Sequence, residues 1–354
     1  MGQTEKMGVT REDLFQFRFV SEASLSPDGQ WAACVVNQAD RKENGYHSSI
    51  WAVRLSDGES RMLAARGEAK SPLWLDGETL LFTSGRDVDR EEAKSRTEYY
   101  RISLNGGEAV KAMTIPAKAD KLKRLGDGWL VMSVVDEKKG AGGGDQDCKK
   151  QEADGPEAWE AREGEDYEVY EELPFWFNGK GVCSRKRSAL FLFHEKTGNM
   201  TRLTQKYLEV ASFDVSPDGK KVVYCGPLYD SVKPRTCGLY LYDAETGETR
   251  QLVEDGLYDV DQACFMGNER VFYTAFTYER VGKHPRFYVF DLKKDRVGKL
   301  PFCDASVGNV VGSDAKFGTG RAMAYCEKRD VLYLLQTLWG DCRLMAMDGE
   351  GTLT

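Results

Sequence analysis

The stretch SLSPDGQWAACVV, Ser24 to Val36, sets a Ser-Pro-Asp-Gly turn against an apolar run, and DVSPDGKKVVYC writes nearly the same phrase again at Asp214 to Cys225. Proline presets φ, and an Asp-Gly pair tolerates positive φ, so the phrase is turn chemistry and its apolar flanks are strands. Each copy predicts a β-hairpin. A hairpin that returns at a distance points to a repeat architecture.

Aligning the turns gives Asp28-Gly29, Asp76-Gly77 and Asp127-Gly128, spaced 48 and 51 residues apart. Asp218-Gly219 follows 91 residues later, one period plus an insertion. A fifth unit, QACFMGNERVFYTAF, carries Gly267-Asn268 at the turn, and a sixth, AMAYCEKRDVLYLLQT, substitutes Lys328-Arg329-Asp330. Each unit has a second hairpin: SIWAVRLSDGESRML, EYYRISLNGGEAV, ALFLFHEKTGNMTRLT, GLYLYDAETGETRQLV, RFYVFDLKKDRVGKL and RLMAMDGEGTLT. Two hairpins per period of about 40–50 residues make a four-stranded propeller blade. The expected fold is an all-β propeller with six blades in the chain. Before it, TREDLFQFRFV, with Thr10 at the N-cap and Glu12 and Asp13 in the first turn, predicts a short helix. The expected organisation is a leader over residues 1–19 and a propeller over 20–354, with an insertion in blade 3 at about residues 137–187.

Composition narrows the function. With 354 residues, 41% hydrophobic and 30% charged, the chain is an ordinary globular protein. It has no apolar leader and no run long enough to span a membrane, so a cytoplasmic location and no membrane partner are expected. Nine scattered cysteines without a C-x-x-C fit a reducing compartment, where those in strands such as VVYC act as small buried hydrophobes. Three histidines, His47, His194 and His284, have no partner at ligand spacing, so neither a metal nor another cofactor is expected. A net charge of −8 with no basic stripe argues against nucleic acid. The cluster SRKRS, Ser184 to Ser188, is expected to be a solvated turn. The blade 3 insertion opens on a glycine run, then carries twelve Asp or Glu against three Lys or Arg from Asp145 to Glu172. Its first part is expected to be a mobile loop. The aromatics Phe175, Trp176 and Phe177 are consecutive, so in a strand they cannot all face one core, and one or two should be exposed.

Two stretches resemble the propeller domain of the acylaminoacyl-peptidase branch of the prolyl oligopeptidase family. They are FRFVSEASLSPDGQWAACVV near the start and DYEVYEELPFWFNGKGVCSRKRSALFLFHEKTGN, Asp166 to Asn199. The resemblance implies a seven- or eight-bladed propeller followed by an α/β-hydrolase domain whose Gly-x-Ser-x-Gly elbow supplies a nucleophile. No such motif occurs in the sequence, so the catalytic residues are expected outside it, and the chain is expected to be an inactive piece ending in mid-blade. An open sector of this kind is expected to favour self-association. By the same resemblance the propeller caps the active site and admits short peptides or peptide ends. A peptide amine would then need carboxylates, for which Glu165, Asp166, Glu168, Glu171 and Glu172 are the dense candidates. Phe175, Trp176 and Phe177 are candidates for contact with the hydrolase domain or the substrate. The alternative is a free-standing TolB- or WD-like propeller that serves as an interaction scaffold.

Overall fold

The computed structural model describes residues 8–89, 92–137, 169–277, 282–301, 303–311, 317 and 322–354. The chain divides into two compact units: residues 1–115 with 308–322 and 340–342, and the remaining residues.

The first unit holds blades 1 and 2. Blade 1 is β1 (Phe19–Leu25), β2 (Trp31–Asp40), β3 (Gly45–Arg54) and β4 (Ser60–Ala64), and blade 2 is β5 (Lys70–Trp74), β6 (Thr79–Thr83), β7 (Thr97–Ser103) and β8 (Val110–Ile115). Ile50, Leu80 and Phe82, all fully buried, fill the space between these two sheets. Each such side chain contributes about 1.5–3 kcal/mol by leaving water. The indole of Trp74 donates to Ser24 O at 3.0 Å and ties blade 2 to blade 1.

The second unit begins with blade 3: β9 (Ala119–Leu125), β10 (Gly128–Asp136), a small hairpin of β11 (Trp176–Phe177) and β12 (Gly181–Val182), then β13 (Lys186–Phe193) and β14 (Met200–Arg202). Blade 4 is β15 (Ser212–Val215), β16 (Lys221–Gly226), β17 (Gly238–Asp243) and β18 (Thr249–Val253). Blade 5 is β19 (Asp259–Met266), β20 (Arg270–Phe276), β21 (Arg286–Asp291) and β22 (Arg296–Lys299). In blade 6 the first position is shared by β23 (Ser306–Val307) and β24 (Met323–Cys326). Both pair with one edge of β25 (Val331–Leu338), while β26 (Asp341–Met347) takes the other. The described residues thus form a six-bladed all-β propeller of four-stranded antiparallel sheets.

The repeat read from the sequence is the structural repeat. Asp28-Gly29, Asp76-Gly77, Asp127-Gly128 and Asp218-Gly219 each join the first and second strands of a blade, as do Gly267-Asn268 and Lys328-Arg329-Asp330. Neighbouring turns in the second unit are stitched together. Gly126 N donates to Gly219 O at 2.9 Å, Asp218 N donates to Asn268 Oδ1 at 3.0 Å, and Arg270 pairs with Asp330. The first strands also meet, β9 with β15 and β15 with β19, so they are the inner strands.

Antiparallel order then fixes the two ends of every blade. Tight turns join strands 1 to 2 and 3 to 4 at one end, and the connections between strands 2 and 3 lie at the other. Those connections are long in blades 2 to 5, covering 84–96, 137–185, 227–237 and 277–285. Long loops on a rigid scaffold are where function concentrates.

The expected N-terminal helix is a five-residue 3-10 turn, Arg11–Phe15. Asp13 Oδ2 accepts from Thr10 N at 2.7 Å, as a capping residue should, but the turn stops at Phe15 and the chain enters β1 at Phe19. No helix among the described residues is long and apolar enough to cross a membrane.

Candidate functional site

A strap of residues 169–177 leaves the blade 3 insertion and crosses to the long loop of blade 4. Leu173 N donates to Ser231 O and Lys233 N donates to Leu173 O, each at 2.8 Å. Beneath this crossing lies a buried ion pair. Arg187 Nη1 and Nη2 donate to the two oxygens of Glu172 at 3.0 and 2.8 Å, and neither side chain is exposed. The guanidinium also stacks 3.8 Å from the Tyr229 ring and donates to Tyr229 O and Tyr207 O. Tyr229 Oη and Lys233 Nζ both donate to Glu209 Oε2 at 2.8 Å. Burial opposes ionisation of Glu209, yet Lys233 and Tyr229 overcome it and hold the carboxyl below its ordinary range.

This network changes two expectations. SRKRS is not a solvated turn, because Arg187 is fully buried and Arg185 is mostly covered. The signal was present in the strand period: Ala189 faces the core, so Arg187, two residues back in β13, faces it as well. Glu172, a candidate for a substrate amine, is 1% exposed and already holds Arg187. Glu171 is exposed, with Arg185 Nη2 at 3.8 Å. Glu165, Asp166 and Glu168 lie outside the described residues.

The strap ends in the β11–β12 hairpin, where Trp176 pairs with Val182 and Phe177 with Gly181. Phe175, Trp176 and Phe177 are 42%, 52% and 47% exposed. Tyr170 stacks on Phe175 with ring centroids 5.1 Å apart, and Cys183 N donates to Phe175 O, so the base of the hairpin is held firmly. At the tip, Lys180 N donates to Phe177 O at 3.1 Å and closes the turn.

A third feature was not legible in the sequence. The pairing of β9 with β10 skips Asp120, and that of β19 with β20 skips Asp261. Each aspartate is therefore the extra residue of a β-bulge at the loop end of an inner strand. Bulges re-aim side chains. Burial raises both carboxyl groups above their ordinary value. Around Asp120 the lysines 118, 121 and 180 oppose the rise, whereas at Asp261 the charge of Asp259 adds to it. Beside Asp261 lies a cavity of about 270 Å³ between the blade 4 loop and β19, lined by Lys233, Arg235, Cys237, Asp259 and Asp261 among others. Cys237 donates to Val260 O at 2.9 Å, and burial pushes its thiol up to about 12, so it is no nucleophile.

Comparison with known proteins completes the picture. No protein-family model matches the chain. Over 226 residues, 63% of its length, the chain is 30% identical to the uncharacterized peptidase YuxL of Bacillus subtilis, and the match spans about a third (32%) of that relative. Among solved structures, an acylaminoacyl peptidase of Pyrococcus horikoshii superposes over 96% of this chain and 46% of its own, with a TM-score of 0.62 at 15% identity. The β-propeller domain of the Trilobed protease from Pyrococcus furiosus superposes over 94% of this chain and 83% of its own, with a TM-score of 0.54 at 14% identity. These structures share the fold. The chain is therefore a six-bladed propeller that resembles those of prolyl oligopeptidase-family peptidases and has a peptidase among its sequence relatives.

Proposed function

We propose that this chain is the non-catalytic propeller of a serine exo- or oligopeptidase, in which it caps an α/β-hydrolase domain and restricts access to short peptides or peptide ends. The observation that carries the reading is the 226-residue match to a peptidase at 30% identity. The sequence holds no Gly-x-Ser-x-Gly, so the nucleophile belongs to a separate catalytic domain. Physically, a folded protein cannot reach a nucleophile enclosed between two domains, whereas a short flexible peptide can.

The loop end of blades 3 to 5 is the face we assign to substrate and catalytic domain. It carries the exposed aromatics of the β11–β12 hairpin, with Glu171 at its base. An enzyme uses such a face to hold parts of the substrate remote from the reacting bond. The test begins with the encoding gene beyond Thr354, where an open frame through Gly-x-Ser-x-Gly is expected. The long protein should hydrolyse peptides at rates that fall steeply with length and leave folded proteins intact, and removing residues 1–354 should flatten that dependence. Equal rates for peptides and folded proteins would sink the reading.

A further inference from the structure

At the loop end of blade 2 the connection from β6 to β7, residues 84–96, starts on a rigid floor. The Arg86 guanidinium lies over two buried rings at once, its Cζ 5.5 Å from the centroid of Phe82 and 4.8 Å from that of Tyr100. Its Nε donates to Ser84 Oγ at 3.2 Å. Stacking and this bond fix the plane of the group, yet Nη1 and Nη2 have no partner among the described residues. Other stacked arginines of the same unit are closed off: Arg54 and Arg61 cover Trp31, and both pair with Glu59, at 2.7 and 2.6 Å.

A second arginine is built against the first. The buried Ser84 hydroxyl donates to Arg66 O at 2.8 Å, with Gly67 O at 3.1 Å, and Gly85 N donates to Gly67 O at 2.8 Å. Gly67 makes this approach possible, since a Cβ there would lie 2.4 Å from Arg86 N. The Arg66 side chain is mostly exposed, and its Nη2 is 3.7 Å from Asp87 Oδ1, a loose ion pair. Asp87 takes its own hydrogen bond from Tyr100 Oη at 3.1 Å. The cluster thus holds two guanidinium groups against one carboxylate, and the better held of the two presents a free fork.

A guanidinium with free N–H donors side by side matches the two oxygens of a carboxylate. On a flexible arginine such a pair is offset by the side-chain freedom it removes, and here the rings and Ser84 have removed much of that freedom beforehand. We propose that Arg86, with Arg66 beside it, binds a carboxylate of a peptide at the loop end of blade 2. The identity of the ligand as a peptide rests on the peptidase reading above. The carboxylate comes either from the C-terminus or from an acidic side chain, and the experiment separates these sources.

Three probes are titrated into the 354-residue chain by NMR at low salt: N-acetyl-Ala-Ala-Ala with a free C-terminus, its amide, and N-acetyl-Ala-Glu-Ala-amide. At least one carboxylate-bearing probe should bind about tenfold or more tightly than the neutral amide, a factor expected for one charge-assisted hydrogen bond. Preference for the first probe assigns the site to the C-terminus, preference for the third to an acidic side chain, and equal gains to carboxylates of either source. Arg86→Gln should abolish the gain, and Arg86→Lys should lose most of it, because an ammonium keeps the charge without the fork. Arg124→Gln removes an arginine stacked 4.8 Å over Trp129 at the turn end of blade 3 and should leave the gain unchanged. Should a variant fold poorly, chemical-shift changes centred on Arg86 and Ser84 in the native chain locate the site. Equal binding of acids and amide, no binding by any probe, or a gain that survives Arg86→Gln or falls as far with Arg124→Gln overturns the proposal. Equal binding leaves the access-restricting role standing, whereas hydrolysis indifferent to length sinks that role and leaves the carboxylate contrast intact.

Discussion

Arg187 and Glu172 close on each other through two hydrogen bonds of 3.0 and 2.8 Å, with both side chains shut off from solvent. The pair joins the strap to β13, and Leu173 carries the same strap onto the blade 4 loop. The strap and its aromatic hairpin are therefore positioned by a charge pair rather than by an apolar core.

Breaking one half of that pair should cost more than removing both. Arg187→Met leaves the Glu172 carboxylate buried without its partner and should destabilise the chain by about 3–5 kcal/mol. Arg187→Met combined with Glu172→Met removes the stranded charge and should recover most of the loss. Urea denaturation of the two variants measures the difference. If the double variant is no more stable than the single one, the pair is not the local anchor.

Gly226 ends β16 where the backbone of the connection between β14 and β15 passes very close. A Cβ there would lie 1.9 Å from Glu209 O and 2.8 Å from its carbonyl carbon. Gly226→Ala must push that segment away, together with the Glu209 carboxylate held by Tyr229 and Lys233. Overpacking of this kind typically costs about 1–3 kcal/mol, and contact with backbone places this site at the upper end. Gly106 has nothing within 4 Å of the same position but a φ of +89°, so Gly106→Ala should cost less and through backbone strain alone. Thermal melts of the two variants compare the mechanisms.

Asp261 should make stability fall as pH rises. Burial, reinforced by Asp259, lifts its carboxyl above the ordinary 3.8, so the native chain holds that proton more tightly than the unfolded chain. Between these two values the folded state binds more protons, and its stability declines with increasing pH. Asp261→Asn lacks this slope. The variant should match the native chain below pH 3.8 and exceed it in stability at neutral pH. A constant difference across the range would show that Asp261 does not titrate in this way.

The fold was legible because its punctuation is local. Pro, Asp and Gly mark a turn wherever they stand, Gly267-Asn268 keeps the spacing at 49 residues after Asp218, and Lys328-Arg329-Asp330, 61 residues after Gly267, is marked by the apolar runs on either side. The site was legible only in part. Phe175, Trp176 and Phe177 were visible as a run too apolar for one strand face, and all three are exposed. Arg187 was misread because charge was weighed before strand period, although the alternation through Ala189 pointed inward. The roles of Asp120 and Asp261 could not be read at all. A bulge is set by pairing with β10 and β20, and pairing is a tertiary fact that no window of one strand contains.

The hairpin offers a last prediction that separates function from stability. Trp176 and Phe177 are about half exposed, and their pairing with Val182 and Gly181 is through the backbone. Replacing both with Ser should therefore change the stability of the 354-residue chain by no more than about 0.5 kcal/mol, the usual range for surface positions. The apolar contact they offer would nevertheless be gone. In the longer protein proposed above, the variant should show either a raised KM for peptides with kcat unchanged, which marks the hairpin as a substrate wall, or a weakened association of the propeller with the proposed catalytic domain in sedimentation. Phe175→Ser serves as the structural control, because it removes the partner of Tyr170 at the base of the hairpin and should lower the melting temperature. If the Trp176 and Phe177 variant melts early while kinetics and domain association stay native, the hairpin is a packing element and the loop end of blade 3 is not the contact face.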